Sequence, residues 1–271
     1  MTTLPDCRRW RPAPLIKASA LLHAGAVAAT ILRPEAWPWT AGAVIADHAM
    51  LTIAGLWPRC SLLGPNWKRL PQPAAARGEM AITIDDGPEP GVTPAVLDLL
   101  DRHGVKATFF CIGERAMRYP ELCREIVDRG HAVENHSLRH RHDFALLGLR
   151  GFVRELEAAQ ETLAAITGIR PLFFRAPAGL RNPWLDPALS RLDLRLASWT
   201  RRGFDTRDGD PESVSAKLLR GLNGGDILLL HDGNAARTTG GDAVILEVLP
   251  RLLDAIAAAN LHPVTLRSVI T

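Results

Sequence analysis

Seven stretches in which a short apolar run is followed by a helical period predict a β/α barrel, closed or nearly closed, over residues 79–271. Two further observations shape that expectation. The polar constellations all follow the apolar runs directly and never precede them, which is the placement of catalytic residues on the C-terminal face of such barrels. Residues 1–78 differ in composition and carry two long apolar segments, so the barrel is preceded by an N-terminal apolar helical hairpin and a linker.

The elements follow in chain order. Residues 79–84 read as a buried strand, broken by Gly87-Pro88. Thr93-Pro94 starts a helix, as N-cap and first-turn proline, and the helix stops at Gly104. Residues 105–111 form a strand, 120–129 a helix and 131–135 a short strand. A helix over 151–167 ends at Gly168, and 172–174 is the next strand. A helix near 183–192, a strand near 194–199 and a helix over 211–220 follow. Residues 226–230 are a strand, 242–259 a helix and 263–266 the last strand.

The chain has 271 residues, 47% of them apolar and 23% charged, enough for one large core. A net charge of +3, with no basic run interleaved with aromatics, excludes a nucleic-acid groove. The four cysteines, Cys7, Cys60, Cys111 and Cys123, contain no C-x-x-C pair and read as reduced thiols.

Residues 14–32 and 37–57 are each about the length needed to span a bilayer. Trp37, Trp39 and Trp57 fall where interfacial aromatics belong, and basic residues flank both ends (Arg8, Arg9 and Arg11; Arg59, Lys68 and Arg69). His23, Asp47 and His48 lie inside the apolar segments, and a central Asp costs about 2.5–3.5 kcal/mol on insertion scales. Three readings stand: a membrane hairpin, helices in the interface or packed on the domain, and a signal or single anchor. The hairpin is carried forward, with inner-membrane attachment and a cytoplasm-facing catalytic domain, a periplasm-facing one being the alternative. Residues 71–78 read as the linker.

Asp85 and Asp86 end the first strand of the barrel side by side. Two adjacent carboxylates resist joint ionisation, and a cation removes the conflict. His136 and His140, four apart, project on one side of a helical turn. With Asp86 they make an Asp/His/His set with an open position, the pattern of a catalytic zinc site, while Asp85 is free to act as a base. The donor types favour Zn2+, with Co2+ or Ni2+ suited to the same set. His142 and Asp143 stand close enough to leave the ligand choice some slack. Arg175 follows another strand and pairs with Asp85, and Gly179 lets backbone amides approach a ligand. His231 ends the run Leu228-Leu229-Leu230 as a proton donor, with Leu229 on the same strand face lining a pocket and Asp205 orienting the imidazole. The equipment is that of metal-assisted hydrolysis of an amide or ester.

These residues resemble the NodB-homology polysaccharide deacetylases, carbohydrate esterase family four. Thr83-Ile84-Asp85-Asp86-Gly87 resembles T-F-D-D-G, His136-Ser137-Leu138-Arg139-His140 is similar to H-S-x-x-H, Arg175-Ala176-Pro177-Ala178-Gly179 to R-x-P-x-G, and Leu228-Leu229-Leu230-His231 to L-x-L-H. In place of the family's D-x-x-D-W, residues 198–206 match only at Asp205, and Ala178 replaces a frequent aromatic. The resemblance implies a distorted (β/α)7 barrel. It implies Asp85 as base, Asp86, His136 and His140 as metal ligands, His231 as acid and Arg175 tuning Asp85. Leu229 would lie beside the acyl methyl, and the Ala178 amide would hold the oxyanion. The implied reaction is removal of an N-acetyl group from an N-acetylhexosamine glycan or glycolipid. Two alternatives stand beside it: deformylation or deacetylation of an undecaprenyl-phosphate-linked amino sugar, and a non-catalytic, membrane-anchored glycan-binding protein. The expected partners are the glycan or lipid-linked sugar and the membrane, with no nucleic acid and no protein partner.

Overall fold

A computed structural model describes residues 10–270. Cys7, Arg8 and Arg9 lie outside the described residues. Helices α1 (Pro14–Leu32) and α2 (Trp37–Leu56) form the expected hairpin, joined by a single turn at Pro34–Ala36. Their outward faces leave Leu21, Ile31, Leu32, Trp39 and Ile45 more than two-thirds exposed. The polar residues inside the apolar segments face one another. Ser19 Oγ donates to Asp47 Oδ2 at 2.6 Å, and His23 Nε2 meets His48 Nε2 at 3.3 Å. Asp47 therefore has a partner across the hairpin, which lowers the cost of a carboxylate among apolar side chains.

Residues 71–78 contain a short helix, α3 (Gln72–Ala76), instead of the bare linker expected, because Ala74 buries itself under the barrel. The remaining elements are β1 (Glu79–Asp85), α4 (Thr93–Arg102), β2 (Thr108–Cys111), α5 (Gly113–Arg118), α6 (Pro120–Asp128), β3 (Ala132–Asn135), α7 (Leu149–Thr167), β4 (Phe173–Phe174), α8 (Leu185–Arg191), β5 (Arg195–Leu196), β6 (Arg201–Arg202), α9 (Pro211–Leu219), β7 (Ile227–His231), α10 (Ile245–Ala258) and β8 (His262–Pro263). Gly168, at φ 72°, ends α7 in the left-handed cap that its position predicts. Thr93 differs from expectation. Val92 occupies the cap position, and the Thr93 hydroxyl turns inward to donate to buried Asp232.

The strands form one curled parallel sheet in the order β5-β4-β3-β2-β1-β7-β6, with β8 pairing the start of β1. Strand parity sorts the side chains. Met80, Ile82 and Ile84 point outward and pack with Val96, Leu100, Val248 and Leu252 of α4 and α10. Ala81, Phe110, Phe173 and Ile227 point inward and fill the barrel floor. Above that floor the inward positions become polar, at Thr83, Asp85, Arg175 and His231.

The barrel is open between β5 and β6, and residues 67–70 span the gap. Trp67 N–H donates to Leu196 O at 2.9 Å, and Ser198 N–H returns a bond to Trp67 O at 2.9 Å. Leu70 N–H reaches Gly225 O at 2.8 Å, and Arg69 pairs with buried Asp226 at 2.9 Å. Leu70 and Ala74 join the floor cluster, with Trp67 stacked edge-on against Phe173. Removing this plug uncovers several large side chains, each worth about 1.5–3 kcal/mol when buried. A fragment starting at residue 58 is therefore expected to fold. One starting at residue 79 is expected to melt at least ~10 °C lower in thermal denaturation. Equal midpoints would mean that residues 58–78 contribute nothing to the barrel.

Candidate active site

The inward, C-terminal ends of five strands converge on a cavity of about 310 Å3. β1 delivers Asp85, and the chain then turns through Asp86 at φ 73°, so the two carboxylates part. Parallel register sets Asp85 opposite His231 of β7. His136 and Arg175 continue β3 and β4, and Asp205 follows β6.

Asp86, His136 and His140 offer donor atoms within 4.8 Å of one another. The geometry behind this differs from the helical turn expected. Residues 136–140 are a loop, with Ser137 at φ 66° and His140 at φ 49°. Asn135 Oδ1 accepts from Ser137 N–H at 2.8 Å, and Ser137 Oγ accepts from His140 N–H at 2.9 Å. These side-chain turns displace helical bonding and aim both rings inward. His136 Nδ1 bonds the carbonyl of Arg175 at 2.8 Å, which makes Nδ1 the donor and leaves Nε2 free as a ligand. Asp86 Oδ1 is buried and no hydrogen bond reaches it, although Nε2 of His136 and His140 stand 3.2 and 3.3 Å away. An orphaned carboxylate oxygen flanked by two ring nitrogens fits a divalent metal. Asp86 Oδ2 is held by Asn234 Nδ2 at 3.0 Å. Of the slack ligands, His142 lines the cavity outside the three-residue cluster, and Asp143 is paired with Arg141 at 2.6 Å.

Asp85 is 3% exposed and receives Arg175 Nη1 at 2.7 Å. Arg175 is itself 1% exposed. Nη1 also reaches Thr83 Oγ1 at 2.7 Å, Nη2 reaches Ser198 O at 2.9 Å, and the guanidinium lies 4.2 Å from the Phe110 ring centroid. His231 Nδ1 meets Asp205 Oδ1 at 2.9 Å, and its backbone N–H donates to Oδ2 at 2.7 Å. Asp205 thus holds both the ring and the chain. Leu229, 2% exposed, stands one inward step below His231. Ala178 lines the cavity at φ 53°, in the turn Pro177–Gly179 whose backbone bonds begin with Gly179 N–H to Ala176 O.

Charge balance follows from packing. Burial alone would raise the Asp86 carboxyl, but the imidazoles of His136, His231 and His140 hold it well below the carboxylate range. Burial opposes charge on His136, yet Asp85 and Asp86 raise it above an ordinary histidine. His140 is lowered, first by burial and then by His136. His231 is raised because Asp205, then Asp85 and Asp86, outweigh its burial.

The nine residues that the sequence singled out lie together: seven line the cavity, and Arg175 and Asp205 stand behind Asp85 and His231. Sequence reasoning missed Asn234, for which His231-Asp232-Gly233 gives only a turn signal. It also missed β6, too short to show alternation. Asp232 turns away from His231. It accepts from Thr93 and Gly233 N–H beneath Gly87, where burial pushes its carboxyl up to about 6.

Residues 73–197 match the family model for polysaccharide deacetylases. A chitooligosaccharide deacetylase of Azorhizobium caulinodans is 35% identical over 189 residues, covering 65% of this chain and 87% of the relative. A peptidoglycan-N-acetylglucosamine deacetylase of Bacillus cereus is 28% identical over 180 residues, covering 65% of this chain and 64% of its own length. Among solved structures, a peptidoglycan N-acetylglucosamine deacetylase superposes with a TM-score of 0.67 at 25% identity, covering 76% of this chain and 92% of the other.

Purified protein is expected to retain one divalent metal per chain, measured by elemental analysis. Asp86→Asn and His140→Ala are each expected to lower metal affinity by ~100-fold or more while the fold survives. A His136 held above its ordinary pKa competes with the metal for its lone pair, so retention should start to fall while pH is still above about 6.5. Stoichiometric metal in either variant would remove these residues from the ligand set.

Proposed function

Because the chain belongs to the polysaccharide deacetylase family, the NodB-homology group, we propose that it removes the N-acetyl group from an N-acetylhexosamine-containing glycan or glycolipid by metal-dependent hydrolysis. One observation carries this reading. A single cavity holds an open Asp/His/His cluster, a second carboxylate fixed by a buried arginine, and a histidine backed by its own aspartate. That combination supplies a base, an acid and a Lewis-acid site within one substrate's reach.

Asp86, His136 and His140 hold the metal, for which Zn2+ suits the nitrogen and oxygen donors. When bound, the metal supplies Lewis acidity to the attacking water and the acyl oxygen. Asp85 takes the proton from the water. Its bond to Arg175 through one oxygen orients the carboxylate so that the other faces the cavity. The Ala178 N–H donates to the oxygen that becomes negative. Leu229 bounds the space left for the acyl methyl, and its small apolar floor favours a short acyl chain. His231, kept protonated by Asp205, gives its proton to the departing sugar amine, and the amide bond breaks with release of acetate. A glycan-binding protein without catalysis has no use for this full set, which supports the enzyme over that alternative.

The apolar hairpin supports attachment to the inner membrane. With α1 and α2 both spanning, Arg11 on one flank and Arg59, Lys68 and Arg69 on the other support a catalytic domain at the cytoplasmic face. A reporter fused to the C-terminus is then expected to be active only in its cytoplasm-reading form. Activity of a periplasm-reading fusion would reverse the orientation.

Asp85→Asn keeps a neutral partner for Arg175, whereas Asp85→Ala would strand a buried guanidinium at a cost of about 3–5 kcal/mol. Asp85→Asn is expected to lower kcat by ~1000-fold or more with metal content unchanged. His231 acts in its protonated form and its pKa is raised, so activity should persist above pH 6.5 and fall as pH rises through the raised value. Asp205→Asn should move that fall to lower pH in a pH–rate profile. Wild-type turnover by Asp85→Asn, or an unmoved profile in Asp205→Asn, would refute the assigned roles.

A further inference from the structure

The second oxygen of the Asp86 carboxylate is held by a chain of side chains that lies outside the four matched motifs. Asn234 Nδ2 donates to Asp86 Oδ2 at 3.0 Å, and Arg115 Nη2 donates to Asn234 Oδ1 at 3.1 Å. Arg115 Nη1 reaches Glu89 Oε2 at 3.3 Å. The residue types fix the order of this chain. A guanidinium only donates and an ionised carboxylate only accepts, so a side chain that joins them must do both. An amide turned the other way would set Nδ2 against Arg115 and Oδ1 against Asp86, two contacts without a hydrogen bond. Arg115 therefore decides which way the amide points. Asn234 also meets a backbone demand, because at φ 58° it stands in the left-handed region that asparagine tolerates. Gly233 lets the chain come this close, since a methyl group there would clash with Arg115 Nη1 and with the Asp86 carbonyl.

The segment that carries Arg115 also braces the chain around the other ligands. Ile112 N–H donates to Gly87 O at 2.9 Å, one residue after Asp86. Gly113 N–H donates to Ser137 O at 3.0 Å and Glu114 N–H to Leu138 O at 2.9 Å, inside the loop between His136 and His140. Residues 112–115 thus join the two chain segments that supply the cluster. The consequence falls on Asp86. A carboxylate with both oxygens free can offer a metal one of them or both. Here Oδ2 is engaged by Asn234, while Oδ1 is buried with no hydrogen bond. One oxygen is presented, and the position that a second would fill stays open for water or the acyl oxygen.

We infer that Asn234 and Arg115 are positioning residues for Asp86: Arg115 sets the Asn234 amide, and the amide holds Oδ2 so that Oδ1 alone is offered as a ligand. The assignment rests on the reading of Asp86 as a metal ligand, which it deepens by naming what limits the carboxylate to one oxygen.

The test is the Zn2+ affinity of the full-length protein in detergent micelles, measured by competition with a chromophoric chelator, together with the visible spectrum of the Co2+-loaded protein. Asn234→Gly keeps the left-handed backbone and removes the amide. Arg115→Met keeps the bulk and removes the donors, whereas Arg115→Lys keeps a donor. Zn2+ affinity is expected to fall by ~10-fold or more in Asn234→Gly and Arg115→Met, and to stay within ~3-fold of wild type in Arg115→Lys. The Co2+ absorption of Asn234→Gly should weaken, because a second carboxylate oxygen raises the coordination number. Asn234 is exposed, so the metal-free variant is expected to melt with the wild type. Tight Zn2+ binding by the wild type, matched by Asn234→Gly with an unchanged Co2+ spectrum, would overturn the inference and leave the ligand set standing. A weaker Asn234→Gly with an unchanged spectrum and a lowered metal-free midpoint would make Asn234 a structural residue and also overturn it. Equal losses in Arg115→Met and Arg115→Lys would overturn the role of Arg115. A wild-type protein that binds neither ion would sink the reading of Asp86 as a ligand, and the inference with it.

Discussion

Arg175 is the group on which the rest of the barrel depends. A guanidinium at 1% exposure is costly, because burial works against its charge. Asp85 on β1, the Thr83 hydroxyl and the carbonyls of Ala197 and Ser198 offset that cost, tying β1 to the segment after β5 across the barrel interior. The Arg175 carbonyl accepts a hydrogen bond from Nδ1–H of His136. One residue therefore fixes the orientation of the Asp85 carboxylate by its side chain and the tautomer of His136 by its backbone. The polar interior persists above an apolar floor because each charge there has a named partner, apart from the Asp86 oxygen left for a metal.

The two ends of the sheet explain why the barrel needs help from outside its strands. β4, β5 and β6 have two residues each and present few backbone bonds. Residues 67–70 supply what these strands lack, reaching β5 on one side and the start of β7 on the other. The chain before the barrel is thus continuous with its wall. This also opens a route by which the hairpin bears on chemistry, since the same connection runs from α2 through Pro58 to the turn at Gly179.

Much of this was legible in the sequence, for a physical reason. Long strands buried on both faces leave unbroken apolar runs, so β1 and β7 and the residues at their ends stand out. Asp85, Asp86 and His231 needed little more than the rule that function follows strand ends. What stayed hidden depends on contacts with no local signature. β6 is two half-buried arginines, which read as a charged loop although one arginine is spent on buried Asp226. The His-x-x-x-His spacing is the same on a helix and in this loop, and only the Asn135 and Ser137 side-chain bonds decide between them. Asn234 reaches Asp86 across 148 positions of sequence, beyond any periodicity.

The polar residues that weakened the membrane reading of the hairpin also bear on how it works. Ser19, His23, Asp47 and His48 meet between α1 and α2, and Thr30 meets Thr40 nearer the turn. Between two apolar helices such a seam contributes more than between wet ones, because no water competes for the same groups. It fixes the rotation of α2 about its own axis. That rotation decides which face of α2 carries Gly55 toward Arg181, and so where Trp57, Pro58 and Arg59 leave the helix. Without the seam the helices would roll on each other at little cost, since their apolar faces are interchangeable. With it, the orientation of α2 becomes the orientation of the turn that carries Ala178 at the catalytic mouth.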